Sequence, residues 1–172
     1  MWIARVRSDV DAADNARRSA SGAKAGSAIT APDPSPVRGD DISEDRPSWA
    51  DDLVAAAAAA GEDVDAGLQL TERYGVQLPQ PGCGTTALRW QLLADVAAAD
   101  LTAARILEAH SDALAILAEA GGFDRSGRWG VFAAEAPGAV LCAQETGGHW
   151  TVDGTKPWCS LGGVLDLSLI HI

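Results

Sequence analysis

The chain has few cysteines, few histidines, no basic stripe and no long apolar run. Cys83, Cys142 and Cys159 are odd in number and far apart, which argues against a disulfide framework and a zinc knuckle and fits a reducing, cytoplasmic compartment. The histidines are His110, His149 and His171, and no two stand at metal-ligand spacing, so a metal site is not expected. With 13 basic against 24 acidic residues and a net charge of -11, electrostatics gives no case for nucleic acid or for an anionic membrane surface. The longest apolar run, Leu53 to Ala60, is mostly alanine and falls well short of the ~20 residues that cross a bilayer.

What is present falls into unequal parts. Residues 1–47 carry Asp, Ser, Pro, Gly and Arg with few large apolar groups, too little burial to offset chain entropy, so they are expected to be disordered. Met1-Trp2-Ile3-Ala4 is followed by Arg5 without an apolar h-region, which rejects a secretory signal, and Asp9, Asp11 and Asp14 oppose a transit peptide. The other account of this tail is upstream sequence read through from a wrongly placed start, which mass spectrometry of the native N-terminus decides.

A helical domain is expected over 48–122. Ser48 and Asp51 predict a cap and first-turn acid for a helix running through the alanines to Ala60 and ended by Gly61. A short helix over Asp63 to Tyr74 follows, then a loop rich in Gly and Pro. Thr85 or Thr86 opens the next, with Leu88, Leu92 and Val96 on a face widened by Trp90 and Leu93. Asp100 caps a long helix to Ala120, stopped by Gly121-Gly122, whose Ile106, Ala109, Ala113, Leu117 and Ala120 form an alanine-rich packing face. Arg105 and Glu108 on it read as a surface ion pair.

Residues 123–166 read as β-structure. Trp150, Val152 and Gly154 alternate with Thr151, Asp153 and Thr155, the period of a half-buried strand. Ala139 to Gln144 is the partner, joined through a loop containing Gly147 and Gly148, which makes a hairpin. Asp153-Gly154 then leads into Lys156-Pro157-Trp158-Cys159-Ser160.

That order of parts resembles the opening of the middle β-domain of acyl-CoA dehydrogenases. The shared pattern is a short strand ending in Ala134-Glu135, a Gly-containing loop, a hairpin closing in Gly154-Thr155-Lys156-Pro157-Trp158 with Ser160 two residues on, and Gly162-Gly163 leading to Asp166. The segment Arg105-Ile106-Leu107-Glu108-Ala109-His110 is similar to the long helix of the family's N-terminal domain, and the resemblance implies, beside the surface-pair reading, that this helix borders the substrate and flavin cavity. Together these segments cover about residues 86–166. The resemblance implies an α+β chain: an N-terminal α-helical bundle domain followed by the first strands of an antiparallel β-domain.

It also implies FAD as cofactor, an acyl-CoA or related thioester as substrate, an electron-transfer flavoprotein as partner and a homo-oligomeric parent. By the resemblance, Phe132, Ala133 and Ala134 lie along the isoalloxazine ring and bond its polar edge through the backbone, Trp158 packs on the flavin, and the Ser160 hydroxyl reaches the N5 region. Lys156 reads as a solvated strand residue. Ala134 stands where the family usually has Thr, and Glu135-Ala136-Pro137-Gly138-Ala139-Val140 lacks the usual Ser-Asp, which points to a diverged subgroup. No catalytic residue is assigned here, because the family's catalytic carboxylate belongs to a C-terminal domain.

Two other readings stand beside this one. A flavin-dependent monooxygenase would share the fold and the helix around Arg105 to His110. A non-enzymatic, alanine-rich helical interaction module would carry the β-part as an appendage. Finally, Leu167-Ser168-Leu169-Ile170-His171-Ile172 matches the translation of a transposon mosaic end used as a sequencing adaptor. This predicts a natural sequence ending near Asp166, an inactive fragment, and no function for His171.

Overall fold

A computed structural model describes residues 2–5, 46–121 and 126–171. The chain is a mixed α+β structure with four helices and two small sheets among the described residues. The first helix, α1 (Ala50–Ala60), buries Ala50, Leu53, Ala57 and Ala60, a row with helical spacing. Ser48 does not cap it: Trp49 occupies the N-cap position and no side chain bonds the exposed N–H groups. Asp51 instead receives Arg46 at 3.0 Å, and the same guanidinium reaches Asp95 at 2.5 Å, tying the entry of α1 to the third helix. Gly61 ends α1 at φ +54°.

The second helix, α2 (Val64–Tyr74), starts where expected, because the Asp63 carboxylate accepts the N–H groups of Asp65 and Ala66 at 2.9 and 3.2 Å. A single 3-10 turn, Gly75–Gln77, follows. In α3 (Thr86–Ala99) Leu92 and Val96 are buried as the spacing predicts, but Trp90 is 69% exposed and its neighbour Arg89 is buried. The reason is satisfaction of donors. Arg89 donates to the Pro79 carbonyl at 3.0 Å, the Ser111 hydroxyl at 2.8 Å and Asp112 at 2.5 Å, so its charge is answered inside, and the adjacent indole is turned to solvent.

The long helix α4 (Leu101–Glu119) is capped by the Asp100 carboxylate, which accepts from the Ala103 N–H at 2.7 Å. Ile106, Ala113 and Leu117 are buried as expected, whereas Ala120 lies past the helix end and is exposed. Gly122, the second residue of the predicted stop, lies outside the described residues. Packing of α2, α3 and α4 around Leu53, Tyr74, Leu92, Val96 and Leu107 forms the helical core. Gly67 of α2 permits a close approach to α4: a Cβ there would stand 2.7 Å from Ile106 Cδ1.

The strands differ more from expectation. Strand β1 (Trp2–Arg5) lies within the tail expected to be disordered, yet it pairs antiparallel with β5 (Leu167–Ile170). A short apolar run gains a ladder when a free strand edge stands ready. The rest of that expectation, over residues 6–45, lies outside the described residues. β5 is also the run expected to derive from an adaptor, and it forms the centre of a sheet ordered β1-β5-β2, with Leu169 fully buried. β2 (Trp129–Phe132) pairs parallel with β5, so this sheet is mixed and the expectation of purely antiparallel strands is corrected.

The hairpin forms as read, with β3 (Leu141–Thr146) set two residues later than predicted and paired to β4 (His149–Gly154). Gly147 and Gly148 both take positive φ, 61° and 80°, the requirement of a two-residue loop whose twist matches the strands. The expectation of a half-buried strand fails, because every residue of β4 is exposed. Alternation in sequence sets which side chains share a face, but burial needs a second layer, and no other described element packs extensively on the hairpin. No helix among the described residues is long and apolar enough to cross a membrane.

Candidate functional site

Helix α4, the strand β2 and the segment 155–165 enclose a cavity of about 460 Å³. Each wall follows from local structure. On α4, Thr102, Ile106 and Ala109 recur at three- and four-residue spacing and so share one face, with Arg105 beside them. On the opposite side all four residues of β2 border the space. The third wall comes from Trp158, Ser160, Leu161 and Leu165.

The β2 wall is an edge. β2 stands at the end of its sheet, and the His171 N–H donates to the Phe132 carbonyl at 3.2 Å. In a parallel ladder alternate residues bond the neighbouring strand, so Gly130 and Phe132 face β5 and the peptide groups of Trp129 and Val131 are turned to the open side. The Trp129 N–H on that side is already used: it donates to His110 Nδ1 at 3.2 Å. Gly130 leaves room beside the cavity for the Leu165 side chain, whose Cδ1 would stand 2.6 Å from a Cβ there and would have to shift.

His110 fixes α4 against this strand. Its ring is buried, and its pKa is lowered to about 4 because burial removes water from the imidazolium, an effect the nearby Glu72 charge only partly opposes. Neutrality is what the contact needs, since Nδ1 must keep its lone pair to accept from Trp129. Beneath the ring lies Gly75, where any side chain would occupy the space of the imidazole. Sequence reasoning placed His110 on the helix but did not find this role, because its partner is a backbone group 19 residues away.

The third wall is a turn. Trp158 and Leu161 adopt φ of 58° and 63°, a left-handed conformation that costs a side-chain-bearing residue about 1–2 kcal/mol. Such strain persists where surrounding structure imposes it, and it gathers at binding sites. Trp158 and Ser160 therefore stand in irregular chain and a turn beyond β4, and both reach the cavity. Cys159 between them turns to the core beside Ile106 and Phe132, and burial raises its pKa.

Of the five residues assigned to a cofactor, the structure brings Phe132, Trp158 and Ser160 to the cavity. Ala133 and Ala134 do not line it: β2 ends at Phe132 and both alanines are exposed beyond it. Lys156 is not on a strand either. It sits in irregular chain after β4, where its ammonium donates to the His171 carbonyl at 2.8 Å. His171 Nδ1 in turn lies 3.1 Å from Glu135 Oε1. Arg105 pairs with Glu108 as the spacing predicts, and is also the one charged residue among those lining the cavity. Asp112, by contrast, pairs with Arg89.

Chemically, the cavity offers a flat indole, an open strand edge with peptide donors and acceptors, two hydroxyls and one guanidinium. Comparison with protein-family models, with curated proteins and with solved structures gives no match to this chain.

Proposed function

We propose that this chain is part of an FAD-dependent oxidoreductase resembling the acyl-CoA dehydrogenases, and that the cavity receives the isoalloxazine ring. The observation that supports this is the meeting of Phe132, Trp158 and Ser160, 26 and 28 positions apart in sequence, around one cavity. The residues present fit such a group. Trp158 gives a broad apolar wall for a planar ring. The turned-out peptide group of Val131 offers a donor and an acceptor to a heterocycle's polar edge. The volume of about 460 Å³ lies in the range of small-molecule sites.

When bound, the flavin would supply hydride acceptance from the β-carbon of an acyl thioester. The chain's own residues do simpler work. Trp158 and Leu161 cover the ring from water, Ser160 presents a hydroxyl to it, and His110 holds β2 in place through the Trp129 N–H. No carboxylate lines the cavity, so the base that takes the α-proton is not among these lining residues. On this reading the substrate is an acyl-CoA or related thioester, an electron-transfer flavoprotein takes the electrons, and the parent is a homo-oligomer with the same fold.

Titration of FAD into the purified chain tests the site. Flavin fluorescence should be quenched with an induced visible circular dichroism signal, and Trp158→Ala should weaken binding about tenfold. No spectral change up to millimolar FAD would sink the proposal and favour a helical interaction module.

A further inference from the structure

The charge distribution around the cavity points beyond the flavin. The chain has a net charge of -11. Yet of the thirteen residues that line the cavity none is acidic, and one, Arg105, is basic. Its guanidinium stands one position from Ile106 and one turn from Ala109, two apolar residues on the same wall. It pairs with Glu108, which does not line the cavity.

That pair is expendable. Arg105 and Glu108 are three apart on an exposed helix surface, with side chains 68% and 39% exposed, and such pairs contribute little. A carboxylate on a ligand would offer the guanidinium two parallel hydrogen bonds in planar geometry, a stronger arrangement than a single solvated contact. The cavity is otherwise apolar apart from the Thr102 and Ser160 hydroxyls and the peptide edge of β2.

We infer that the cavity recognises a compact organic acid with a flat apolar body, its carboxylate on Arg105 in place of Glu108 and its body along Ile106 and Ala109. This goes beyond the flavin reading by naming a further ligand class for the same cavity, a free acid and not a thioester, and rests on that reading only for the cavity being a ligand site. Recognition of the acid group at Arg105 separates this class from a long, neutral acyl chain, for which a guanidinium on the cavity wall has no use.

Isothermal titration with 2-naphthoate and its neutral isostere 2-naphthamide, without flavin, reads the charge term alone. The wild-type chain should bind the carboxylate about tenfold more tightly than the amide. Arg105→Gln should abolish that preference and leave amide affinity unchanged, Arg105→Lys should keep part of it, and Glu108→Gln should increase it by freeing the guanidinium. Equal affinities in the wild type, or a preference that survives Arg105→Gln, would overturn the inference. The three substitutions fall on Arg105, which is exposed, and Glu108, which is half-buried, and thermal melts establish that the variants are folded. A carboxylate preference without FAD binding defeats the flavin proposal alone; FAD binding without an Arg105-dependent preference defeats this inference alone.

Discussion

His110 shows how one residue can position a site it does not line. Its imidazole is wedged between Gly75, the carboxylate field of Glu72 and the backbone of Trp129, and it works only when neutral. Because its pKa falls from 6.5 to about 4 on folding, the unfolded chain takes up a proton over a range in which the folded chain does not. The contribution is therefore fully present above pH 6.5 and is lost as pH falls from 6.5 through about 4. The loss over that window is roughly 3 kcal/mol, from 1.36 kcal/mol per pH unit. Urea unfolding at pH 7.5 and pH 4.5 should show this slope in the wild type and a flatter one in His110→Gln. Equal slopes would remove His110 from the account. The helix position of His110 was legible in the sequence. Its neutrality was not, because desolvation is set by the α2 turn and β2 closing over the ring.

At the scale of elements, the contrast is between α4 and the hairpin. α4 packs against α2, α3 and β2, and buries ten of its residues. The β3–β4 hairpin has full internal pairing, but all six β4 residues are exposed. A two-stranded ribbon without a covering layer is marginal in water. Native-state hydrogen exchange should thus find the β3 and β4 amides opening at about 0–1 kcal/mol, while those of Leu107 and Leu114 exchange only on global unfolding. Hairpin amides protected to the global limit would show that a second layer covers them. Here the sequence was read correctly for pairing and incorrectly for burial. Turn chemistry at Gly147-Gly148 is local, whereas a strand's second face depends on which other elements arrive.

For the whole molecule, Arg128 joins the helical and strand-bearing parts. Its guanidinium meets Glu72 at 2.9 Å and Asp65 at 3.1 Å, both on α2, while its backbone N–H donates to Asp166 Oδ2 at 2.9 Å at the entry to β5. Both carboxylates are more than half exposed, so solvent screening limits the benefit. Arg128→Gln should lower stability by about 1 kcal/mol in denaturant melts. A double-mutant cycle with Glu72→Gln should recover part of that as coupling. Zero coupling would remove Glu72 from the account and leave Asp65 as the guanidinium's partner. The same junction carries the cavity, since β2 runs on directly from Arg128.

The sequence by itself determined the four helices, the Asp100 cap and the hairpin turn, and the resemblance singled out Phe132, Trp158 and Ser160, which meet at the cavity. Each depends on neighbours within a few positions or on a motif with its own spacing. Tertiary structure alone decided that Arg89 goes inside and Trp90 outside. It also decided that β2 and β5 run parallel, that Trp158 and Leu161 sit in a strained turn, and that Arg105 is the cavity's lone charge. These outcomes turn on which distant groups satisfy a buried donor, which strand edge is free and which element closes a space. Pairings across 20 to 160 positions settle such questions, and local periodicity carries no record of them.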